Sequence, residues 1–433
     1  MTKIIIKNIG PIKEICLMLN KVNVFMGLQS SGKSAIAKII SYCTWVEKDV
    51  ATSQSLETYQ ENPTLFKEHI ENFHKMKGYF KADSYIYYKS ETLEIKWENG
   101  KSTLNWINQY AYKRSKIAYI PSERNMVILP EIKKVEFGNT NVRSFLFDWF
   151  DARKKYSKEN KLSILNLGID YYYAERNINE EDHIKGLDNG TEYDILLSNA
   201  SSGLQSVTPL IAMIDYLTRW IYYEDNTSFE QQEKQRKVRN YLTYEKVIKP
   251  YFKKLPFNTE EHNFMVMELN EKLRSNDDEV LKLRDIFEEQ LQNLFATQNS
   301  QFIIEEPEQN LFPETQRDLV YHLLEKCFNK EDNRLTITTH SPYILYALNN
   351  CMLGELVNTQ LQGEEKAEYL ENKFLSQKSW INPKKVSVWE IEDGKLRCIQ
   401  DKDSIISENY FDLKMTEITD EYYQILNYYD NEE

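Results

Sequence analysis

The chain has 433 residues and a net charge of −13, and 41% of its residues are hydrophobic. This length allows one large domain with insertions or two domains, and the apolar fraction excludes a disordered chain. The negative charge excludes a general attraction to nucleic acid, so any DNA contact needs a local basic patch.

The start of the chain has no basic stretch followed by an apolar core, so it predicts no secretion signal. The longest apolar runs are far shorter than the ~18 residues that a membrane span requires. The five cysteines have no metal-type spacing, and we expect them to be reduced residues of the core. These features predict a cytoplasmic protein without a membrane partner.

The first predicted unit is a strand at residues 22–26, a glycine-rich loop and a helix at residues 34–40. The loop sequence GLQSSGKS fits the pattern G-x-x-x-x-G-K-S, in which glycines let backbone N–H groups and the helix N-terminus face phosphates. This P-loop predicts an ATP site. Its expected nucleotide contacts are Gly27, Gln29, Ser30, Ser31, Gly32, Lys33, Ser34 and Ala35.

Two side chains of the P-loop have predicted chemical roles. Lys33 is expected to reach the β- and γ-phosphates and so to assist catalysis. The hydroxyl of Ser34 is expected to coordinate Mg²⁺, so the loop predicts both ATP and Mg²⁺ as cofactors.

Residues 46 to about 110 combine a polar helical part with strand-like alternation. The alternation lies at residues 85–88 and 92–97, and Asn99-Gly100 ends it with a turn. We interpret this zone as an antiparallel β subdomain with a helical insertion.

The middle of the chain returns to the core with a strand at residues 117–120. A helix near residues 145–149 then leads to further strands near residues 171–173. The turn Ser201-Ser202-Gly203-Leu204-Gln205 follows, just before a predicted helix at residues 206–216. Its helix N-terminus suits an anionic phosphate, although such a turn alone is most often a plain helix cap.

From about residue 211 to residue 297 the pattern is almost wholly helical, with charged surfaces. No heptad repeat is sustained, which favours solvated helix faces over a long coiled-coil arm. We expect two or more helices that project from the core.

An apolar strand at residues 302–304 ends in Glu305-Glu306-Pro307-Glu308, at the place where an α/β sheet presents residues to its ligand. Alone, the motif also fits a strand that ends in solvated acids. After a P-loop it favours a Walker B motif. Glu305 would then hold the Mg²⁺ shell, and Glu306 would orient or deprotonate the attacking water.

Another apolar strand, at residues 335–339, leads to His340. A lone histidine is usually structural. At a strand end after a P-loop and a Walker B motif, however, it fits a catalytic contact to the γ-phosphate. A hairpin with strands at residues 386–391 and 396–399 and a turn at Asp393-Gly394 closes the chain.

These elements predict an α/β fold, with a mixed central sheet around the P-loop, an antiparallel β subdomain and a helical insertion. We predict three parts. Residues 1–210 form the N-terminal part of the head, residues 211–297 a helical insertion or lid, and residues 298–433 the C-terminal part with a small appendage.

In this order the motifs resemble those of ABC-type ATPases, and within them the soluble branch of SMC-like repair ATPases and overcoming-lysogenization-defect (OLD) nucleases. The segments that carry the resemblance are NIGPI at residues 8–12, the P-loop, IPSER at residues 120–124, the signature SSGLQ, EEPE at residues 305–308 and THSP at residues 339–342.

The resemblance implies that Ser202 and Gly203 of one subunit complete the ATP site of the other, so ATP holds a homodimer together. Gln205 is likewise a signature position. Three features differ from the family pattern: the signature begins Ser-Ser-Gly, Walker B carries Glu305 where Asp is usual, and no Q-loop glutamine is evident. The turn that ends at Arg124 takes the Q-loop's place, with Arg124 near the nucleotide or the dimer seam.

OLD nucleases carry a Toprim domain after the ATPase, but the part of this chain after His340 is short for one. The pair Asp401 and Asp403 fits a solvated loop better than a metal site. We therefore expect any nuclease or toxin activity on a separate effector protein, as in bacterial anti-phage defence.

Two other functions stay open. The first is a DNA-repair or chromosome-maintenance ATPase that clamps duplex DNA, and the second is an ATP-locked scaffold whose hydrolysis is incidental. The pattern of interleaved acids favours solvated helix faces over DNA contacts for the candidate residues Lys234, Arg236, Lys237, Arg239, Lys246, Lys249, Lys253 and Lys254.

Overall fold

The computed structural model of the chain describes residues 2–129, 132, 135, 138–176, 179–188, 190–223, 229–243 and 278–429. In chain order the strands are β1 (Thr2–Ile9), β2 (Ile12–Leu19), β3 (Val22–Gly27), β4 (Phe80–Lys89), β5 (Leu93–Glu98), β6 (Lys101–Trp106), β7 (Ser115–Ile120), β8 (Leu162–Ser163), β9 (Ile169–Arg176), β10 (Asn179–Asp188), β11 (Thr191–Leu196), β12 (Asn299–Glu305), β13 (Arg334–Thr339), β14 (Val386–Glu392) and β15 (Lys395–Cys398).

The described α-helices are α1 (Lys33–Ser53), α2 (Glu57–Glu61), α3 (Leu65–Phe73), α4 (Asn141–Arg153), α5 (Ser202–Arg219), α6 (Phe229–Thr243), α7 (Asp278–Phe295), α8 (Pro313–Cys327), α9 (Pro342–Gln360), α10 (Gly363–Glu371) and α11 (Tyr410–Leu426). Short 3-10 turns lie at Ser122–Ile128, Leu197–Asn199, Gln377–Ser379 and Pro383–Lys385.

The central sheet has the strand order β15-β14-β3-β13-β12-β7. All neighbours from β14 to β7 are parallel, and β15 is antiparallel to β14, so the sheet is mixed. Every residue of β3 is buried, as expected for a parallel strand with both faces covered. The predicted fold class is therefore confirmed.

A second sheet, with the order β2-β1-β4-β5-β6, is antiparallel and forms the predicted β subdomain. Helix α1 lies between the two sheets: Ile36 and Ile39 pack in one core with Ile4 and Ile86 of the antiparallel sheet and with Phe25 of β3. This burial on both sides explains why α1 continues to Ser53, beyond the predicted end of the helix.

The other face of the central sheet is covered by helices α4, α5, α8 and α9. Val24 and Met26 of β3 belong to the same core as Trp149 of α4, Leu210 of α5 and Leu345 of α9. A small antiparallel sheet, β11-β10-β9-β8, adjoins this core. The P-loop helix and the signature helix therefore lie on opposite faces of one sheet.

The predicted helical insertion is described only at its two ends, where it is helical. Leu242 of α6 and Leu291 of α7 pack in a small cluster with Ala51 of α1. Of the candidate DNA contacts, Arg236, Lys237 and Arg239 are exposed on α6. The side chain of Lys234 and all of Lys246, Lys249, Lys253 and Lys254 lie outside the described residues.

Two predictions need correction. The hairpin of β14 and β15 forms as predicted, but β14 pairs in parallel with β3, so the hairpin extends the central sheet and is no appendage. Cys43, Cys327 and Cys351 are buried as expected, whereas Cys16 and Cys398 are exposed. Across the described helices, none combines the length and hydrophobicity needed to cross a membrane.

Candidate functional site

Three of the predicted motifs meet at the carboxyl ends of neighbouring parallel strands. Met26 of β3 lies opposite Thr339 of β13, and Thr338 of β13 lies opposite Glu305 of β12. The segments that follow these strands are the P-loop, His340 and the Glu306 turn. Parallel pairing therefore brings them to one edge of the sheet, where α/β folds bind ligands.

The P-loop has the backbone geometry of an anion cradle. Gly32 has φ 110°, and a Cβ atom there would lie 3.0 Å from Cγ1 of Ile12 and 3.2 Å from Cγ of Pro11. The position therefore requires glycine. Among the described residues, no side chain caps the N-terminus of α1 and no acid occupies its first turn, which leaves its N–H groups to an anion.

Lys33 folds back onto the loop that precedes it. Its Nζ donates hydrogen bonds of 2.8 Å to the carbonyl oxygens of Gly27 and Leu28, and only 4% of the residue is exposed. Burial lowers the pKa of this amine to about 8, although the nearby carboxylates of Glu306 and Glu308 act in the opposite direction. The amine thus lies over the loop, and its acceptors there are carbonyl oxygens, which bind an ammonium group more weakly than phosphate oxygens do.

The other predicted loop residues differ in exposure. Gln29 and Ser30 are exposed, and Ser34 is partly exposed in the first turn of α1. The hydroxyl of Ser31 is buried without a hydrogen-bond partner. Ala35 packs in the core, so only its backbone is placed to face a nucleotide.

Glu305 ends β12 and is only 5% exposed, and among the described residues no hydrogen bond reaches its Oε1, although the Tyr119 hydroxyl lies near enough that burial and the carboxyl together raise the pKa of Tyr119. A buried carboxylate oxygen without a partner is costly unless a cation or donor completes it. Within the described part of the chain, no group of three or more His, Cys, Asp or Glu side chains is arranged to hold a metal ion. Mg²⁺ held with a nucleotide needs only one or two carboxylates, so Glu305 and Ser34 fit it.

Glu306 adopts a left-handed backbone conformation with φ 44°. Such a conformation costs a non-glycine residue roughly 1–2 kcal/mol, so contacts must hold it. The backbone N–H of Glu306 donates to the carbonyl of Thr338 at 2.9 Å, and its Oε1 lies 3.3 Å from Nε2 of His340. Both side chains are about one-third exposed, so this pair faces the open edge of the sheet.

His340 lies between two opposite charges. Burial and the Lys33 amine lower the pKa of its imidazole, while the Glu306 carboxylate raises it, and the net direction is down. The ring is therefore neutral at pH 7 and serves as a hydrogen-bonding group, not as a fixed cation.

Glu308 is a further candidate for the site, to which the sequence motifs gave no role. Its Oε1 accepts hydrogen bonds from the backbone N–H of His340 at 2.6 Å and from Oγ1 of Thr339 at 2.9 Å, while Oε2 is buried without a partner. Burial raises the pKa of this carboxyl. Glu308 thus joins the Walker B turn to the segment that carries His340. The sequence feature that could have identified it is the last acid of the motif EEPE.

Arg124 does not present a free guanidinium to the site. It is fully buried, and it donates hydrogen bonds to the carbonyl oxygens of Glu305 at 3.0 Å and Glu306 at 2.9 Å. Burial lowers its pKa to about 10. The predicted contact between this side chain and the nucleotide therefore has no geometric support in this conformation.

The signature segment begins helix α5. Ser201 caps the helix by accepting from the N–H of Leu204 at 3.4 Å, and Ser202 is exposed at its first position. Gly203 packs tightly: a Cβ atom there would lie 2.9 Å from the carbonyl oxygen of Asn310. Gln205 turns inward, where its Nε2 donates to backbone carbonyls at 2.9 Å and 3.0 Å.

The structure therefore brings three side chains together at this edge of the sheet, those of Lys33, Glu306 and His340. Glu305 precedes Glu306 at the end of β12. No hydrogen bond between described residues joins the signature segment to the P-loop of the same chain. Ser202, at the N-terminus of α5, is exposed instead.

No protein-family model matches the sequence, and no curated protein matches it. Among solved structures, the chain is similar to an SMC head domain from Thermotoga maritima, with 9% identity, coverage of 94% of this chain and 98% of that chain, and a TM-score of 0.35. It is also similar to the recombination mediator protein RecF-ATPrS of the RecFOR pathway, with 11% identity, coverage of 92% and 97%, and a TM-score of 0.29.

A third similar structure is the Smc head domain from Pyrococcus furiosus, with an extended coiled coil, bound to the C-terminal domain of ScpA. The identity is 9%, the coverage 92% of this chain and 96% of that chain, and the TM-score 0.36. At such low TM-scores and identities these likenesses carry no argument, and the functional case rests on the geometry of the chain itself.

Proposed function

We propose that the chain is an ABC-type ATPase that binds ATP with Mg²⁺, hydrolyses it, and uses ATP-dependent homodimerisation to control a separate effector. The observation that carries the proposal is the meeting of Lys33, Glu306 and His340 at the carboxyl edge of the central sheet. A phosphate-binding loop beside a carboxylate–histidine pair is an arrangement for phosphoryl chemistry on a nucleotide.

Phosphate binding falls to the P-loop. The uncapped N-terminus of α1 offers N–H groups, and Lys33 exchanges its bonds with the carbonyls of Gly27 and Leu28 for stronger, charge-assisted bonds with phosphate oxygens. The exposed residues Gln29 and Ser30 then cover the phosphates from the solvent side.

Ser34 and Glu305 would hold Mg²⁺. The unpartnered Oε1 of Glu305 is the acceptor that a hard cation completes, either directly or through a bound water. When bound, Mg²⁺ neutralises charge that develops on the phosphate oxygens. The extra methylene of Glu305 relative to the usual Asp suits an outer position, where the carboxylate orients the water.

Glu306 serves as the general base. Its side chain is about one-third exposed and its carboxylate interacts with the Lys33 amine of the P-loop, so it is placed to accept a proton from the attacking water. Neutral His340 has a single N–H donor, which faces the Glu306 carboxylate in this structure and turns to the γ-phosphate when ATP binds. Glu308 accepts a hydrogen bond from the backbone N–H of His340 and so fixes the position of His340 relative to Glu306.

Dimerisation completes the site. Ser202 lies exposed at the N-terminus of α5, with Ser201 as the cap, and this end is available to the γ-phosphate bound by a second subunit. Gly203 contacts the carbonyl of Asn310, just after the Walker B turn. A change at the nucleotide bound by one subunit is therefore passed to its own α5 and to the surface that faces the partner's nucleotide.

A protein effector is favoured by the charge and by an exposed apolar helix face. The net charge of −13 opposes wrapping of nucleic acid. Helix α11 has no buried residue, and Met415, Ile418, Tyr422 and Ile425 form one exposed stripe at helical spacing. Stripes of this kind mark protein interaction sites, and the resemblance to anti-phage ATPases makes a nuclease or toxin the expected partner.

Two experiments test the proposal. Phosphate release from ATP with Mg²⁺ is measured for the wild type and for Lys33→Ala, which should lose both binding and turnover. Tagged Glu306→Gln protein is then co-expressed with its neighbouring genes, and the bound material is identified by mass spectrometry and a nucleic-acid assay. A stoichiometric protein that is lost in Ile418→Asp supports effector control; duplex DNA without a protein supports a DNA clamp instead.

A further inference from the structure

Among the described residues, the partners of the Arg124 guanidinium are all backbone oxygens, although the side chain is completely buried. Nε donates to the carbonyl of Ser206 at 3.2 Å, and Nη1 to that of Glu305 at 3.0 Å. Nη2 donates to the carbonyls of Glu306 at 2.9 Å and Pro307 at 3.1 Å. Among the described residues, no carboxylate accepts a hydrogen bond from it.

The carboxylates of Glu308 and Glu306 act to raise the pKa of the guanidinium, but burial outweighs them and lowers the pKa to about 10. An apolar side chain of the same volume would avoid the cost of removing the charge from water. The arginine therefore has a directional task. Its planar fork has five N–H donors in a fixed geometry and here serves four carbonyl groups, more than the three donors of an ammonium group allow.

Three of the four acceptors lie on the turn that carries the candidate general base. Strand pairing between β12 and β13 ends at Glu305, so the carbonyls of Glu305, Glu306 and Pro307 lie at and beyond the end of the ladder. Buried carbonyls without donors are costly, and Arg124 supplies a donor to each of the three, although the carbonyl of Glu306 also accepts from the N–H of Gln309 at 3.1 Å. The same contacts hold Glu306 in its left-handed conformation, with φ 44°.

The fourth acceptor lies on helix α5. Ser206 belongs to the second turn of the helix whose first residues are Ser202 and Gly203. Arg124 thus bridges two segments, the hydrolysis turn and the signature helix, that lie far apart along the sequence. Gly203 contacts Asn310 of the loop after this turn, so the bridge is supported at a second point.

We propose that Arg124 is a positioning residue, which holds Glu306 in place for water activation and ties it mechanically to the signature helix of the same subunit. The proposal rests on the ATPase function proposed above. It replaces the predicted nucleotide contact of Arg124 with an indirect role, and it gives each subunit a rigid link between its own hydrolysis turn and the surface it offers its partner.

The test is kinetic and uses full-length Arg124→Lys, with Arg153→Lys as the matched control. Arg153 is also a buried arginine, but it pairs with Glu180 and Asp182 of β10. Displacement of a reacting group by about 1 Å costs about 100-fold in rate, so kcat of Arg124→Lys should fall by about that factor. The affinity for a fluorescent ATP analogue should stay within about threefold, because the P-loop is untouched.

A double-mutant cycle separates positioning from general damage. If Arg124 acts through Glu306, then Arg124→Lys should lower hydrolysis strongly in the wild type but hardly at all in a Glu306→Gln background. A structural role would lower both alike. If Arg124→Lys does not fold, Arg124→Gln, which keeps two N–H donors, takes its place.

Three results would overturn the proposal. The first is a kcat of Arg124→Lys close to that of the wild type. The second is a loss in kcat that is matched by an equal loss in nucleotide affinity, in the same way in Arg124→Lys and Arg153→Lys. The third is failure of both Arg124 variants to fold while Arg153→Lys folds. Failure of the ATPase function itself is recognised separately, because the wild type would then release no phosphate, which overturns both claims.

Discussion

Nε2 of His340 lies 3.3 Å from Oε1 of Glu306, so the candidate phosphate contact and the candidate general base form one pair. The pair joins the ends of β13 and β12, and the Lys33 amine lies close enough to lower the pKa of the imidazole. The protonation of His340 therefore decides whether a positive charge faces the Glu306 carboxylate.

The first prediction concerns the acid limb of hydrolysis. Because the pKa of His340 is lowered, the ring is neutral at pH 7 and gains its proton only at acid pH. The imidazolium would then hold the Glu306 carboxylate as an ion pair and weaken it as a base. We expect kcat to be flat near neutrality and to fall at acid pH, in a steady-state pH profile.

His340→Gln provides the comparison for that profile. Glutamine keeps a hydrogen-bond donor but does not titrate, so the variant should be slower at pH 7 and should lose activity only at lower pH than the wild type. An unchanged acid limb in His340→Gln would assign the titration to another group.

The second prediction concerns the pH dependence of ATP affinity. Burial lowers the pKa of Lys33 to about 8, and only the protonated amine attracts phosphate by charge. The affinity should thus be constant below pH 8 and about tenfold weaker at pH 9 than at pH 7, measured by calorimetry. Lys33→Arg should bind more weakly at pH 7 but show no loss up to pH 9.

The third prediction concerns Gly203, where a Cβ atom would lie 2.9 Å from the carbonyl oxygen of Asn310. Gly203→Ala must push α5 away from the Walker B loop, so we expect ATP-dependent dimerisation and hydrolysis to be lost while nucleotide binding is retained. Gly138→Ala is the control, because a Cβ atom there meets nothing within 4 Å. Equal dimerisation of both variants would contradict the role of this contact.

Parallel strand pairing explains which parts of the site the sequence predicts. The P-loop, Glu306 and His340 are each encoded locally, by a strand end and residue types that phosphate chemistry demands, and the sheet brings them together. The place of β14 beside β3 is a long-range pairing without a local pattern. It could not be read from the hairpin signal, which fixes only the partner strand β15.

The sequence does not predict the orientation of a side chain when its neighbours come from distant parts of the chain. Arg124 meets Glu305 across 181 positions of sequence, and its burial follows from the convergence of three elements. Gln205 fits a signature pattern, but local carbonyls of Ser198 and Ala200 take up its amide. Motif spacing specifies residue types, whereas packing decides whether a side chain faces the ligand or the core.

The fourth prediction concerns stability. Burial lowers the pKa of His74 to about 3, and neither ring nitrogen has a hydrogen-bond partner. The unfolded chain binds a proton near pH 6.5 and the folded one does not, so stability is full above pH 6.5 and is lost as pH falls towards 3. At pH 5 the loss is about 2 kcal/mol.

His74→Phe tests that loss by urea unfolding at pH 7 and pH 5. Phenylalanine keeps the ring contacts with Phe73 and Tyr119 but carries no proton. The variant should lose less stability between the two pH values than the wild type, by roughly the same 2 kcal/mol. Parallel pH dependence in both proteins would show that His74 does not titrate on unfolding.

The most direct test of the ATPase cycle measures phosphate release and molar mass by light scattering, with and without ATP and Mg²⁺, for the wild type and Glu306→Gln. We expect Glu306→Gln to lose hydrolysis by about 10²- to 10⁴-fold yet to form a lasting ATP-dependent dimer, whereas Lys33→Ala should neither hydrolyse ATP nor dimerise. Wild-type turnover in Glu306→Gln, or a mass that ATP leaves unchanged, would contradict this expectation.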